Sequence, residues 1–439
     1  ASALLVQALQ RLNATVRGYI PDRFSEGYGL NIEALNALKE EGTRVVITVD
    51  CGIRSVQEAD HARAIGLDLI ITDHHHPGSS IPQATAVINP KLPGDIYPEK
   101  NLAGVGLAYK LAQALFHHTG QAETLIEDYL DLVALGTVTD LVPLAGENRA
   151  LVRAGIEQIH QPKRQGILSL IGVSGLTPRT ITAGDIAFML GPRLNAAGRL
   201  DSALAAYNLL LTSEVAVAAR YAQQLNNQNN ERQRITREIQ ARAEEIAFSG
   251  APDPILLFAA DPDFNPGVVG LAASRLTEQY YRPAIVAAQG DEFTRGSCRS
   301  IPEFHITEAL DACADLLHHY GGHAAAAGFT IFTHLLPEFL DRLQQIATRK
   351  IGSLDLRPVL EIDTAIELND LRADLLNDLN VLQPTGMSNR AALFLTRNAL
   401  VKSQRAIGKD HSHLKLVLED NQRILHDAIA FRLGHLAGG

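Results

Sequence analysis

Three short stretches bring acids and imidazoles together in a pattern that suits metal chemistry. Asp50 ends the run Val45-Val46-Ile47-Thr48-Val49 and is followed by Cys51-Gly52. Asp73-His74-His75-His76 follows the next apolar run, Leu67 to Ile71. Asp140 lies in Gly136-Thr137-Val138-Thr139-Asp140-Leu141-Val142-Pro143, where an unpaired carboxylate is costly unless something cationic meets it. Carboxylate and imidazole with little thiolate suit Mn²⁺, Mg²⁺ or Zn²⁺ rather than a soft metal. Aspartate after a strand also serves as a cap or turn former, and adjacent histidines are often simply exposed. Spacing alone leaves both open, with Asp50 and His74 better placed than Asp140.

Other segments combine glycine with polar side chains. Gly191-Pro192-Arg193-Leu194-Asn195-Ala196-Ala197-Gly198-Arg199 reads as a turn-rich stretch able to cradle an anion. Gly296-Ser297-Cys298-Arg299-Ser300 repeats that logic, and Gly321-Gly322-His323-Ala324 could bring backbone and imidazole close to a ligand. Each is also compatible with an ordinary turn. The pairs His117-His118 and His318-His319 are expected near helix ends with structural roles. Cys51, Cys298 and Cys313 read as small hydrophobes rather than nucleophiles.

The elements that must position these residues alternate between helix and strand. Val45–Val49 and Leu67–Ile71 are continuous apolar strands of the parallel-sheet kind, with a helix from about Val56 to Ile65 between them. Thr85–Ile88 forms a third short run, and helices are expected over Gly104–His117 and Ala122–Leu135. Residues 1–212 therefore read as one α/β domain. From Ser213 to Phe248 there is neither proline nor glycine, which predicts one connecting helix (213–249) on the order of 50 Å long. Asn226 to Asn230 is a place where it could bend. A second α/β segment, 250–352, starts with a strand at Ile255–Phe258. Residues 355–439 carry strand-like runs near Ala392–Leu395 and Leu414–Leu418.

Composition bounds the rest. The 439 residues are 46% hydrophobic and 20% charged, which excludes a largely disordered chain. A net charge of −10 excludes a histone-like polycation, yet a local basic groove can coexist with an acidic exterior. Three cysteines without zinc-ligand spacing fit a reducing cytosol. No apolar run is long enough to span a membrane.

The Asp73-His74-His75 triplet after a strand, with Asp50 upstream and Gly-Thr-x-x-Asp140 downstream, resembles the DHH phosphoesterase family. Pro21-Asp22-Arg23-Phe24-Ser25-Glu26-Gly27-Tyr28-Gly29-Leu30, Gly191–Arg199, Asn265-Pro266-Gly267-Val268-Val269-Gly270 with Ala273-Ser274-Arg275, Gly296–Ser300 and Gly321–His323 follow in the order found in its bacterial single-strand-specific DNA exonucleases. The resemblance covers essentially the whole chain. It implies a parallel-sheet DHH domain, a long helix, a smaller α/β DHH-associated domain and an incomplete OB-fold, a partial β-barrel, at 355–439. It also implies two divalent ions, Mn²⁺ or Mg²⁺, of the kind that act about 3.5–4 Å apart in an in-line displacement on phosphorus.

By that resemblance Asp50 bridges both ions, while His74 and Asp140 bind one of them. His75 contacts the scissile phosphate and Asp73 orients the cluster. Arg23, Ser297 and Arg299 match a pocket for a 5′ phosphate, and Asn195, Arg199 and His323 line the passage. The implied activity is 5′→3′ exonucleolytic degradation of single-stranded DNA to 5′-mononucleotides in repair and recombination. The implied partners are single-stranded DNA with a 5′ end, a single-stranded-DNA-binding protein and a helicase, with no membrane. The alternatives are a DHH phosphodiesterase for short oligonucleotides or cyclic dinucleotides, and a non-catalytic single-strand-binding relative.

Two departures from the pattern shape further expectations. The family's first Asp-x-Asp motif should stand just before the helix that opens at Ala1. The chain as it stands is therefore expected to bind metal poorly and to be inactive, while the complete protein is a nuclease. Pro384-Thr385-Gly386-Met387-Ser388-Asn389 follows the family's last module only loosely, which puts the strength of the DNA grip in question.

Overall fold

The computed structural model describes residues 1–21, 26, 29–200 and 202–438. Its first sheet is parallel, in the order β1 (Val45–Val49), β2 (Asp68–Thr72), β3 (Ala86–Ile88). Val45 pairs with Asp68 and Val49 with Thr72, so β1 and β2 end level with each other. Helices α1 (Ser2–Arg11), α2 (Ile32–Glu40) and α3 (Val56–Ala64) belong to this part of the chain, α3 being the crossover from β1 to β2. Asn31 caps α2 by accepting from the Ala34 amide at 2.6 Å. Leu35, Ala59, Ala62, Leu69 and Ile71 form a small core between α2, α3 and the sheet.

A helical array follows: α4 (Gly104–His118), α5 (Leu130–Thr139), α6 (Gly146–Ile159), α7 (Gln165–Val173), α8 (Ala183–Asp185), α9 (Gly191–Leu200) and α10 (Leu204–Leu211). Its core collects Leu4, Leu5, Phe116, Val133, Val152 and Ile167. The single helix expected over 122–135 is a 3₁₀ segment, Glu123–Tyr129, followed by α5. The Asp131 carboxylate turns inward there, accepting from the Leu132 amide at 2.7 Å and from Arg164 Nε at 3.1 Å.

The stretch 191–199 is helix, not the turn-rich loop that its glycines and proline suggest. A π-helical turn, Ile186–Leu190, directly precedes it. That wider turn makes room for Pro192, whose ring would crowd the carbonyl four residues back in a regular α-helix. Gly191 is small because a methyl there would collide with Thr139.

Helix α11 (Val215–Phe248) runs its 34 residues as one helix through the asparagine tract. It buries Ala218, Ala222 and Leu225 in the first core and Ile239 and Ala243 in the next. The same helix thus serves as a wall of both units. Beyond it lies a five-stranded sheet in the order β4 (Leu257–Asp261), β5 (Ala284–Gln289), β6 (Phe293–Arg299), β8 (Ala326–Phe332), β7 (Leu317–His323). β4 and β5 are parallel, and the other pairs are antiparallel. β4 starts two residues later than the apolar run at 255 predicts.

Helix α12 (Val269–Tyr280) packs against α11 and the sheet, while α13 (Ile306–Asp311) and α14 (Leu336–Ile351) close the core around Phe304 and Phe339. Gly296–Arg299 is strand, and Gly296 is required there because a side chain would strike the Phe329 ring. His318 and His319 are likewise in β7 rather than at a helix end, with His318 edge-on to Phe293 at 5.1 Å.

The C-terminal part pairs β9 (Thr364–Ala365) with β10 (Phe394–Leu395) and builds a meander from β11 (Leu400–Ile407), β12 (His413–Glu419) and β13 (Leu425–Ala430). It is tied to the helical array: the Leu144 amide donates to Met387 O at 2.7 Å and Arg149 donates to Val381 O at 2.9 Å. Among the described residues no helix is long and apolar enough to cross a membrane.

Candidate active site

Because β1 and β2 end level, the residues that follow them share one crevice, the usual ligand position in an open parallel sheet. Asp50 leaves β1 with φ of 71°, a left-handed conformation that aspartate tolerates better than most residues. Its amide still pairs with Thr72 O at 2.9 Å. Its carboxylate rests against the first residue of α4: a methyl on Gly104 would overlap Asp50 Oδ1 and Cγ. The positive end of α4 therefore faces a carboxylate. Nothing in the spacing of the acids points to Gly104; the Ala103-Gly104-Val105-Gly106 sequence is the one available hint.

Asp73 is buried, 2% exposed, and almost fully engaged. Oδ1 accepts from the His74 amide at 2.8 Å, the His75 amide at 3.1 Å and His75 Nδ1 at 2.7 Å, while Oδ2 accepts from the Ile53 amide at 2.9 Å. Burial alone would raise its pKa, but those hydrogen bonds, led by His75, hold it below the usual carboxylate range. Reciprocally, Asp73 raises the pKa of His75. Asn89, at the end of β3, donates to His75 O at 2.9 Å and fixes the triplet from the far side.

His74 faces the opposite way. Nε2 points between Asp50 Oδ1 at 3.0 Å and Asp140 Oδ2 at 3.2 Å, and among the described residues neither ring nitrogen has a hydrogen-bond partner. Asp140 follows the last turn of α5, and burial, then Asp50, raises its pKa. One potential ligand atom each from Asp50, His74 and His75 lies within 4.8 Å of the others. Converging carboxylate and imidazole donors, with a buried imidazole that lacks hydrogen bonds, fit a divalent cation. The thiol of neighbouring Cys51 is pushed up to about 12 by burial, so it stays protonated and takes no part as a nucleophile.

A second cluster lies on β6 and the start of α12. Arg299 donates from Nε to Ser274 Oγ at 3.0 Å, and from Nη1 to Ser297 Oγ at 3.1 Å and Cys298 O at 2.8 Å. A methyl on Gly270 would stand 2.8 Å from Ser297 Oγ and 3.1 Å from Arg299 Nη2, so this glycine keeps a cradle open beside the helix N-terminus. Arg199, near the end of α9, donates to Gly267 O at 3.3 Å and joins the first unit to this cradle. Asn195 is exposed on α9, one turn before Arg199. His323 ends β7 and acts electrostatically on His76, which brings it to the edge of the first cluster. Arg23 lies outside the described residues.

Comparison with known proteins fits this organisation. Residues 1–137 match the DHH family N-terminal domain, 253–349 the DHHA1 domain and 362–438 the RecJ OB domain. The chain is 39% identical to the single-stranded-DNA-specific exonuclease RecJ of Bacillus subtilis, over 100% of this chain and 55% of that protein. Against the Salmonella typhimurium enzyme of the same name the identity is 36%, over 99% and 78% of the two chains. A crystal structure of RecJ from Thermus thermophilus in complex with Mn²⁺ superposes with a TM-score of 0.85 at 32% identity, covering 100% of this chain and 62% of that one. The chain thus spans 55% of the Bacillus protein and 62% of the Thermus chain. With this similarity and the matching order of domains, the chain belongs to the RecJ family, within the DHH family.

Proposed function

We propose that the whole protein is a divalent-metal-dependent 5′→3′ exonuclease that degrades single-stranded DNA to 5′-mononucleotides. The observation that carries this is the convergence of His74 Nε2 with Asp50 and Asp140 in the crevice beyond β1 and β2. The relatives' names supply the substrate, and the Thermus structure holds Mn²⁺. Asp50, His74 and Asp140 would hold the divalent ions, Mn²⁺ or Mg²⁺, with Asp50 serving both and His74 and Asp140 one of them. When bound, such ions supply an activated water and neutralise charge on the phosphate.

The chain's own residues do the rest. Asp73 holds the Nδ1 proton of His75 and turns the ring, so that Nε2 can meet an oxygen of the scissile phosphate. The protonated form that Asp73 favours suits an anion. Ser297 and Arg299, with Arg23, hold the terminal 5′ phosphate in the cradle that Gly270 leaves open. Fixing that end sets which phosphodiester reaches the crevice, and each cut releases one nucleotide. Asn195, Arg199 and His323 line the passage between the two units. The divisions 1–212, 213–249, 250–352 and 355–439 are the units we assign to metal site, connecting helix, phosphate cradle and strand-tracking OB-fold. Action in repair and recombination, in the cytoplasm and beside a single-stranded-DNA-binding protein or helicase, follows from such an activity.

His74→Ala in the whole protein tests the assignment. Loss of a direct metal ligand is expected to lower the cleavage rate by more than about 100-fold, beyond the range for supporting partners, with single-strand binding retained. Unchanged cleavage would remove the metal site from the reaction.

A further inference from the structure

Helix α11 contacts helices that belong to different cores, α9 and α12. Each is pinned to it by an arginine. Arg193 of α9 donates to Asn226 Oδ1 at 3.0 Å and to Met189 O at 2.6 Å. Arg275 of α12 donates to Gln240 Oε1 at 3.3 Å. Arg232 stands between these tethers, about 9 Å along the axis from Asn226 and about 12 Å from Gln240. Its Nε is buried without a hydrogen bond among the described residues.

The partners of Arg193 and Arg275 are neutral, and among the described residues none of Arg193, Arg232 and Arg275 has a carboxylate partner. The charges that face Arg232 are Arg199, Arg275 and Arg193, all of its own sign. Arg275 faces Arg237 and Arg432, with Glu278 the weaker opposing charge. Burial first, and these neighbours second, lower the pKa of Arg232.

Acids are not scarce on this helix. Glu231 and Glu238 pair with Arg234, Glu245 pairs with Arg242, and Glu244 bonds Tyr280. The neutralised arginines Arg234 and Arg242 are exposed, whereas the partly buried Arg193, Arg232 and Arg275 form no ion pair among the described residues. Like charges gathered in a partly desolvated junction oppose folding unless an anion joins them. Guanidinium groups present the fork that matches phosphate oxygens.

We propose that the α9–α11–α12 junction is a phosphodiester clasp, in which the backbone of a bound single strand supplies the counter-charge for Arg193, Arg232 and Arg275 and draws the two units together on α11. This rests on the single-strand reading above and adds to it a coupling between occupancy and rigidity. The phosphates held here are distinct from the terminal phosphate at Ser297–Arg299 and from the scissile one at the metal cluster.

The test compares the parent protein with Arg232→Gln, using an oligothymidylate and inorganic phosphate as separate probes. Removing one of several like charges should leave the melting temperature without DNA equal to the parent's or higher. Affinity for the oligonucleotide should fall about tenfold, as for loss of a charge-assisted hydrogen bond. The slope of log K against log salt should shrink by about 0.7, the share of one phosphate contact on a single strand. The DNA-induced rise in melting temperature should shrink as well. Arg275→Gln should behave alike, and Arg234→Gln, on the exposed and paired face, should change none of these.

A fall in melting temperature without DNA, with affinity and salt slope unchanged, would mean that Arg232 is a packing residue and would overturn the clasp. Inorganic phosphate alone giving the full Arg232-dependent stabilisation would overturn it in favour of a small-anion site. A parent protein that binds the strand while Arg232→Gln binds it equally well defeats the clasp alone. A parent that binds no strand defeats the single-strand reading and the clasp together.

Discussion

At the carboxyl ends of β1 and β2 three carboxylates crowd around two imidazoles, whereas the middle of α11 gathers the guanidiniums of Arg193, Arg232 and Arg275, none of them in an ion pair among the described residues. Both regions are electrostatically incomplete, in opposite senses. A buried pair elsewhere shows what completion looks like. Asp131 and Arg164, whose side chains are 8% and 14% exposed, meet at 3.1 Å, and Arg164 also reaches Gln7 Oε1 at 2.7 Å. There the charges answer each other. The strand ends need cations and the helix junction needs anions, which is the division of labour expected of an enzyme that holds a polyanion across a metal site.

The contrast can be broken at either pole. The largest expected effect is the His74→Ala loss of cleavage described above. Next comes Gly104→Ala, which touches no ligand atom in the crevice except through Asp50. The added methyl must push the Asp50 carboxylate aside, so Mn²⁺ affinity measured by calorimetry should fall by about 10–100-fold, the range for groups that orient a ligand. Mn²⁺ affinity that matches the parent's would show that Asp50 is not held in place for a metal by α4. The smallest is Arg299→Ala. It should reduce the preference for a 5′-phosphorylated over a 5′-hydroxyl end by about tenfold, with the intrinsic cleavage rate little changed. Equal loss on both ends would make Arg299 a general backbone contact and blur the distinction between cradle and clasp.

The two poles were also unequally legible in the sequence. Asp50 and Asp73 each follow a β-branched run, and a parallel pair of strands brings their ends level, so the crevice could be read from local pattern. The bonds from Asp73 to the amides of Ile53, His74 and His75 are likewise short-range along the chain or between neighbouring strands. Arg193, Arg232 and Arg275 come from three helices and share no motif, and their common environment exists only after α9 and α12 dock on α11. Glycine misled in a consistent way. Gly191 and Gly296 looked like turn residues, yet one lies in a helix and the other in a strand, and both are small because Thr139 and Phe329 pack against them. A missing side chain is a local fact in sequence, while the neighbour that requires its absence is not. The long helix was legible because an uninterrupted run without proline or glycine is a local property. Its asparagines leave it unbroken, with Asn229 buried and Asn226 accepting from Arg193.

The central claim is that the metal cluster serves a long single strand entered from its 5′ end. The most direct measurement is Mn²⁺-dependent hydrolysis by the whole protein of a 5′-phosphorylated single-stranded DNA set beside a dinucleotide. Release of 5′-mononucleotides in sequence from the long strand, at a rate well above that for the dinucleotide, is the predicted result. Cleavage of the dinucleotide alone would contradict the account and make the protein a short-oligonucleotide phosphodiesterase.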